Sequence, residues 1–265
     1  MENVVKIYIK KLTYKHYSNR TVETYSCYVK KFLKENNKNP YHITTKEIIS
    51  YLENKTFSSI SVQNQYIGAL KLYAKYILNK KNIHLSKIER PRKEKKLPQV
   101  IDKEFLLDKI SNIENLKHKS IISLAYSTGM RVSEVINLKL KDVDSKRMII
   151  HIKNAKGRRD RIVPLSKNIL FLLRQYCLEY KPKEYLFNGQ FSLKYSSTSC
   201  NQIVKKYLGK QYHFHLLRHS SFTSMLESGT DLRVIQSVAG HKSSRTTEIY
   251  THVSKTSINK VNTPL

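Results

Sequence analysis

The segment HFHLLRH, residues 213–219, places three histidines and an arginine close together in the chain. On a helix, His215 and Arg218 share one face, and the two leucines between them can turn toward a core. His215 and His219 have the spacing of a helical zinc pair, but no carboxylate lies between them as in a zinc hydrolase. Because Arg218 would also repel a cation, the sequence disfavours a metal site, and no cofactor is expected.

Other motifs carry side chains that suit phosphate chemistry: Arg131 and Glu134 in TGMRVSE, Lys156 in AKGRRD, His241 in AGH and Tyr250 in EIYTH. Taken alone, each motif is weak evidence. Arg131 and Glu134, three residues apart, are typical of a surface ion pair. Lys156 occupies a turn beside cations that could take its place: Lys153, Arg158 and Arg159. The interpretation therefore depends on the whole set.

The whole set contains what a metal-free phosphodiester reaction needs. Two arginines can neutralise the non-bridging oxygens, because the planar guanidinium donates two parallel hydrogen bonds where lysine offers a point charge. A tyrosine can act as the nucleophile, and a positioned side chain can protonate the leaving alkoxide. Nearby cations favour the phenolate charge that develops on a tyrosine, whose ordinary pKa is about 10.

The charge of the chain favours a nucleic-acid partner. Its 265 residues include 49 Lys and Arg against 20 Asp and Glu, a formal net charge of +29, and such a charge attracts a polyanion such as double-stranded DNA. No apolar run reaches the roughly 18 residues of a membrane span, and no signal segment is evident, so no membrane association is expected. Three cysteines without CxxC spacing indicate free thiols, which favours the cytoplasm.

The length predicts two domains, and residues 1–85 form the first of them, a small helical domain. Residues 18–34 have apolar side chains at helical spacing. Thr44 and Glu47 form a capping box that opens the next helix, and a longer helix ends near Asn79.

A basic stretch with two prolines, residues 86–99, follows and is interpreted as a linker. Its charge fits either a solvated tether or a segment that contacts phosphates. The overall charge of the chain favours DNA contact by its basic residues: Arg90, Arg92, Lys93, Lys95 and Lys96.

The second domain, residues 100–265, combines helices with a small β-hairpin, so the fold class is mainly α. Strands are predicted at 147–152 and 161–165, around the turn that contains Lys156. Helices are predicted at 102–112, 116–127, 166–180, 197–208, 215–228, 231–239 and 243–250. The last two helices, around AGHKS, also suit a helix-turn-helix that would place residues 243–252 in the major groove.

The order of the motifs, RxxE, a hairpin lysine, HxxRH, GH and a final tyrosine, resembles that of the tyrosine recombinases, also called the phage integrase family. The resemblance covers the full chain. It assigns the catalytic positions to Arg131, Lys156, His215, Arg218, His241 and Tyr250. Glu134 is then a supporting partner in the site, and His213 and His219 have roles in packing or solvation.

The resemblance also implies a mechanism. Tyr250 attacks the scissile phosphate and forms a 3′-phosphotyrosyl intermediate, Arg131 and Arg218 hold the non-bridging oxygens, and Lys156 protonates the leaving 5′ oxygen. His215 adds a hydrogen bond, and the second catalytic histidine assists at the phosphate or the tyrosine. Because the intermediate keeps the bond energy, neither ATP nor a divalent metal is required.

The family's organisation suggests how the whole protein works. Residues 1–85 resemble a core-binding domain, and the two domains would close around DNA as a clamp. The resemblance implies a homo-tetramer on two DNA sites, with accessory DNA-bending proteins as further candidate partners, acting on the nucleoid. The task would be integration and excision of a mobile element, chromosome dimer resolution or inversion.

Two other functions fit parts of the same sequence. A type IB topoisomerase would use the same site chemistry, but it relaxes supercoils without a protein tetramer. A helix-turn-helix regulator would use the last two helices for DNA binding alone, and it gives no reason for Tyr250 to matter.

Overall fold

The structure, a computed structural model, describes residues 2–78, 85–92, 98–153, 160–241 and 243–251. The chain divides into two units, Met1–Lys95 and Lys96–Leu265, and the division falls within the predicted linker. The first unit is helical, and the second combines helices with one small antiparallel sheet. The predicted fold class is therefore confirmed.

The first unit contains the helices α1 (Glu2–Tyr14), α2 (Asn19–Asn36), α3 (Thr45–Asn54) and α4 (Ile60–Tyr76). Helix α1 was not predicted, although its buried residues Val4, Tyr8 and Leu12 recur every four positions, which is the spacing of one helical face. The Tyr8 hydroxyl donates a hydrogen bond to the Ala69 carbonyl at 2.9 Å. This buried bond ties α1 to α4.

The ends of these helices follow the local sequence. The predicted capping box is confirmed, since the Thr44 backbone N–H donates to Glu47 Oε2 at 2.7 Å and Thr44 Oγ1 accepts from the Glu47 backbone N–H. Helix α4 ends at Tyr76 rather than near Asn79, which lies outside the described residues. Ile88, in the stretch interpreted as a linker, is buried in the core of this unit.

The second unit contains three strands and eight further helices within its described residues: α5 (Lys103–Ser111), α6 (Leu116–Thr128), α7 (Val132–Asn137), β1 (Val143–Asp144), β2 (Ile149–Ile152), β3 (Arg161–Pro164), α8 (Lys167–Tyr180), α9 (Ser197–Leu208), α10 (Phe214–Glu227), α11 (Leu232–Ala239) and α12 (Arg245–Glu248). Helices α6 and α10 pack against each other in its core. Among the described residues, none of the helices has the length and apolar character needed to cross a bilayer.

The sheet has the order β1-β2-β3, so the predicted hairpin gains a third strand. Val143 pairs with Ile150, which in turn pairs with Val163. Strand β2 begins at Ile149 rather than at residue 147, because a turn precedes it. The Asp144 carboxylate accepts hydrogen bonds from two backbone N–H groups of that turn, as is typical of an Asx turn.

Helix α12 is a single turn, shorter than the helix predicted at 243–250. Thr247 and Tyr250 are fully or almost fully buried, with 0% and 1% of their surface exposed. The other three residues of α12, Arg245, Thr246 and Glu248, are exposed. Within the described residues, this single turn is shorter than the helix that the helix-turn-helix alternative would lay in a groove.

Candidate active site

Gly129 connects α6 to the first catalytic motif. It follows the last residue of α6 with φ of +62°, a conformation that glycine adopts without steric cost. A Cβ at this position would lie 2.5 Å from the Phe222 ring, so a side chain would not fit. Arg131 lies two residues after this glycine, at the N-cap of α7.

The Glu134 carboxylate accepts hydrogen bonds from two arginines. It is 8% exposed and accepts two hydrogen bonds from Arg131, one from the backbone N–H at 2.7 Å and one from Nη1 at 2.9 Å. Arg161 on β3 donates two more, from Nη1 and Nη2, each at 2.7 Å. All four acceptor positions of the carboxylate are then used.

Burial alone would raise the pKa of Glu134, but hydrogen bonds and charge from Arg161, together with Arg131, outweigh it and lower the pKa to about 2. The carboxylate is therefore ionised at neutral pH. An exposed ion pair, the common explanation of this RxxE spacing, does not describe it.

Arg218 is a buried arginine of α10, with 2% of its surface exposed. Its Nη1 donates to the Gly129 carbonyl at 2.6 Å, and its Nη2 donates to the Ala239 carbonyl at 2.8 Å. Burial, and next the charge of Arg131, lower its pKa to about 10, which leaves it charged at neutral pH. The guanidinium thus joins the ends of α6 and α11.

His241 follows Gly240, which ends α11 in the left-handed region with φ of +63°. Its Nε2 lies 3.1 Å from Arg218 Nη2 and its Nδ1 lies 2.9 Å from Thr247 Oγ1. Because a guanidinium only donates, Nε2 accepts and the proton of the neutral ring resides on Nδ1. Burial, and next the charge of Arg218, lower the pKa of His241 to about 4.

Tyr250 packs in a small apolar cluster with Phe222, Ile235 and Ala239. Its ring centroid lies 5.5 Å from that of Phe222 and 5.8 Å from that of His219. Burial raises the pKa of Tyr250, while Arg218 and Arg131 lower it by a smaller amount. The expected effect of the arginines is present, but burial outweighs it and the hydroxyl keeps its proton at neutral pH.

Phe222 lies at the centre of this arrangement. The guanidinium carbon of Arg218 is 4.7 Å from its ring centroid, and the His241 ring is 6.2 Å away. Since Tyr250 also packs on it, three of the predicted catalytic residues surround one side chain.

The histidines of the HFHLLRH segment differ in their surroundings. His213 is exposed at the N-cap of α10, and His215 is also exposed to solvent. The protein around part of the His215 ring, and next the neighbouring His219, lower its pKa to about 4. The His215 and His219 rings lie 4.6 Å apart, edge to face. Within the described part of the chain, no cluster of three or more His, Cys, Asp or Glu side chains could hold a metal ion.

Several predicted site residues lie elsewhere. Arg90 and Arg92 are exposed residues of the first unit, and Arg90 Nη1 donates to Asn64 Oδ1 at 3.4 Å. The others lie outside the described residues: Lys93, Lys95, Lys96, Lys156, Arg158 and Arg159. Lys153, a possible substitute for Lys156, forms a 2.9 Å ion pair with Asp142.

Arg161 was missed as a site residue. In the sequence it begins a strand, and alternation along a strand does not reveal a charged partner on another element. Its buried position is shown only by the folded chain, in which its side chain is 8% exposed and forms an ion pair with Glu134. Thr247, the partner of His241 Nδ1, was missed for the same reason.

Comparison with known proteins identifies the class of protein that this fold and site define. The phage integrase family model matches residues 99–257, and the model of the phage integrase N-terminal SAM-like domain matches residues 5–83. The chain belongs to the phage integrase family, the tyrosine recombinases.

Named relatives agree with this assignment. Tyrosine recombinase XerA of Pyrococcus horikoshii is 34% identical, over 89% of this chain and 84% of the relative. Tyrosine recombinase XerD of Staphylococcus epidermidis is 30% identical, over 93% and 92%. A crystal structure of the XerH site-specific recombinase, bound to palindromic difH substrate in a post-cleavage complex, shares 25% identity with a TM-score of 0.75, over 90% of this chain and 78% of that chain.

These comparisons confirm the predicted activity class. The chain is similar throughout to tyrosine-type site-specific recombinases. Neither a type IB topoisomerase nor a helix-turn-helix regulator is favoured among the matches, and α12 is a single turn, shorter than the helix that the regulator would use.

Proposed function

We propose that the chain cuts and rejoins double-stranded DNA through a covalent 3′-phosphotyrosyl bond to Tyr250. The observation that carries the proposal is the packing of Arg218, His241 and Tyr250 around Phe222, with ring or guanidinium distances of 4.7, 6.2 and 5.5 Å. This packing joins a cation, an imidazole and a phenol from three separate motifs of the sequence. A phosphodiester reaction without external energy needs such a set.

The proposed steps assign each side chain a role. Tyr250 Oη gives up its proton to solvent and forms a bond to phosphorus while the bond to the 5′ oxygen breaks, and Lys156 gives a proton to that oxygen. Arg131 and Arg218 hold the non-bridging oxygens, and His215 adds a hydrogen bond. A 5′ hydroxyl from a partner strand then attacks the phosphorus and returns its proton to Lys156, while the bond to Tyr250 Oη breaks and the tyrosine takes a proton from solvent, which joins the strands.

The role proposed for His241 is to hold Arg218 against the phosphate. Its Nε2 accepts from Arg218 and its Nδ1 is paired with Thr247. With both nitrogens engaged, the ring supports the arginine, and the neutral state that its lowered pKa favours keeps Nε2 an acceptor.

We propose that the two units act together on DNA. Residues 1–85 would serve as the core-binding domain and residues 100–265 as the catalytic domain, joined by the linker 86–99, in a clamp around the duplex. The match of residues 5–83 to an integrase SAM-like domain and the net charge of +29 support this organisation. DNA contacts are proposed for Arg90, Arg92, Lys93, Lys95, Lys96, Arg158 and Arg159.

The proposed assembly is a homo-tetramer on two DNA sites, with accessory DNA-bending proteins as candidate partners, in the cytoplasm at the nucleoid. The similar XerH site-specific recombinase is bound to difH substrate in its solved structure, and the relatives XerA and XerD are tyrosine recombinases, which supports recombination at a specific DNA site. The outcome is either integration and excision of a mobile element or resolution of chromosome dimers.

The test uses a nicked duplex that carries a site recovered by mapping where the protein attaches covalently to genomic DNA. On this substrate the cut fragment diffuses away, so religation is blocked. The parent protein should accumulate a denaturation-resistant protein–DNA adduct, and Tyr250→Phe should bind the duplex but form none.

Tyr212→Phe is the matched control and should form the adduct at the parent rate. An adduct in Tyr250→Phe would move the nucleophile to another residue. Absence of an adduct from the parent, on a mapped site, would refute the proposed chemistry.

A further inference from the structure

Arg161 connects three elements of the second unit. From β3 its Nη1 and Nη2 reach both oxygens of Glu134 on α7, and its Nε donates to the Val238 carbonyl of α11 at 2.7 Å. The guanidinium donates from Nε to α11 and from Nη1 and Nη2 to α7 at the same time, which the single nitrogen of a lysine cannot do. Each of its three nitrogens therefore has a protein partner.

This pairing distinguishes Arg161 from the arginines proposed to hold the phosphate. The Arg161 side chain is 8% exposed, while that of Arg131 is 22% exposed. Exposure alone does not separate the arginines, because Arg218 is only 2% exposed. Arg218 donates to neutral carbonyls, however, whereas both terminal nitrogens of Arg161 face a carboxylate. Its charge is directed at Glu134, and through Glu134 it reaches Arg131.

The link from Arg161 to Arg131 passes through the shared carboxylate. Glu134 Oε1 accepts from both arginines, at 2.9 Å from Arg131 Nη1 and 2.7 Å from Arg161 Nη1. The second oxygen accepts from the Arg131 backbone N–H and from Arg161 Nη2. Arg161 fixes the rotamer of Glu134, and the carboxylate then fixes both the backbone and the guanidinium of Arg131.

A second link runs from Arg161 to His241. The last carbonyls of a helix have no partner within it, and at the end of α11 two arginines supply the donors. Arg161 binds the Val238 carbonyl and Arg218 binds the Ala239 carbonyl. A Cβ at Gly240 would lie 3.0 Å from Arg161 Cδ. Arg161 thereby packs directly against the turn that presents His241.

We propose that Arg161 is a positioning residue for DNA strand transfer, which orients Arg131 through Glu134 and His241 through the end of α11. This inference rests on the proposed function and adds to it a residue that does not touch the substrate. A displacement of about 1 Å in a group that must meet the transition state can cost about 100-fold in rate. The loss of Arg161 should therefore appear in the rate of chemistry more than in DNA affinity.

The first experiment compares Arg161→Lys and Arg161→Gln with the parent on the nicked duplex. The rate of covalent adduct formation at saturating protein should fall about 100-fold in Arg161→Gln, while the dissociation constant for the duplex stays within about twofold. Arg161→Lys should recover part of the lost rate, because it keeps one charged donor to Glu134. Arg147→Gln, a change of an exposed arginine on the turn before β2, is the control and should match the parent in both quantities.

Removing Arg161 leaves a buried carboxylate without its main partner, and the variant can lose stability for that reason alone. The double variant Glu134→Gln/Arg161→Gln removes both charges together and should recover much of the thermal stability. The single variant Glu134→Gln is measured alongside. The adduct rate of the double variant should remain low, close to that of the slower of the two single Gln variants, because both residues act on Arg131 along the same path.

Three results would overturn the inference. The first is proportionate loss of DNA affinity and adduct rate in Arg161→Gln, and the second is parental adduct rate in the stable double variant. The third is multiplication of the two single effects in the double variant, because Arg161 and Glu134 would then act independently. Failure of the proposed function is a separate result, because the parent itself would then form no adduct.

Discussion

Nη2 of Arg218 lies 3.1 Å from Nε2 of His241, and the same Nη2 donates to the Ala239 carbonyl two residues earlier in the chain. One guanidinium nitrogen thus binds both the end of α11 and the ring that follows it. Because Nη1 holds the Gly129 carbonyl, Arg218 has a structural part as well as its proposed catalytic one. This dual use leads to the first prediction.

Arg218→Lys should lower the adduct rate by about 100- to 1000-fold, the cost typical of one lost oxyanion donor. It should also lower the free energy of unfolding by roughly 1–3 kcal/mol, since buried carbonyls lose a donor. Arg131→Lys should reduce the rate similarly with a smaller stability loss, because its side chain is 22% exposed. Thermal unfolding and single-turnover adduct assays check both; equal stability losses would contradict the distinction.

The second prediction concerns pH. The folded-state pKa of His241, about 4, lies below the ordinary value of 6.5, so the unfolded chain binds the proton more readily between these values. The free energy of unfolding should therefore fall as the pH drops from 6.5 toward 4, and His241 should account for about 2 kcal/mol of loss between pH 8 and pH 5.

Denaturant unfolding followed by circular dichroism at pH 8 and pH 5 measures this loss. His241→Gln cannot take up the proton, so the loss between the two pH values should be smaller than in the parent. Glu134, with a pKa of about 2, stays ionised throughout this range and does not contribute to the loss of stability. An equal loss in both proteins would show that His241 is not responsible.

The third prediction uses two glycines with positive φ. Gly129→Ala strains the backbone and places a Cβ 2.5 Å from the Phe222 ring, so it should cost about 2–4 kcal/mol. Gly229→Ala is the matched control, because its φ is +85° but no atom lies within 4 Å of the added Cβ. It should cost about 1 kcal/mol. Chemical denaturation of both variants gives the difference, and equal costs would mean that Phe222 moves aside freely.

The fourth prediction concerns DNA contact by the basic stretch of the first unit. Binding to non-specific duplex should weaken steeply with salt, and the slope of log K against log salt changes by about 0.9 for each phosphate contact. Arg90→Ala and Arg92→Ala should each make the slope shallower by about that amount. Arg174→Ala, on the exposed side of α8, should leave it unchanged. Parental slopes in both linker variants would remove these two residues from the proposed interface.

The sequence predicted a set of site residues from its motifs, but not how those residues contact one another. The motif spacing around Arg131, Arg218 and Tyr250 reflects the order of elements along the chain, and helical periodicity reports which face of an element is buried. The partner of a buried charge depends on packing between elements distant in sequence. For this reason, the pairing of Glu134 with Arg161 had no local signal.

The electrostatic state of Tyr250 shows the same limit. Composition and motifs indicated surrounding cations, and the lowering effect of Arg218 and Arg131 on its pKa is present. The amount of protein that covers the ring follows from the position of α10 and α11, which periodicity alone does not fix. The short α12 is a similar case. The apolar and polar residues at 243–250 suit a longer helix, but α12 has only four residues and Tyr250 lies beyond its end.

The full pairing of Glu134 has a consequence for the charge balance of the reaction. Glu134 and Arg161 cancel each other, and the low pKa values of His215 and His241 keep both rings neutral. Among the site residues that the structure describes, Arg131 and Arg218 then remain as two uncompensated positive charges. A phosphodiester carries one negative charge, and attack by a phenolate produces a pentacovalent phosphorane with two. The positive charges of these two arginines would therefore be balanced at the transition state and only half balanced by the bound substrate. An interaction that is stronger in the transition state than in the ground state is one that accelerates a reaction.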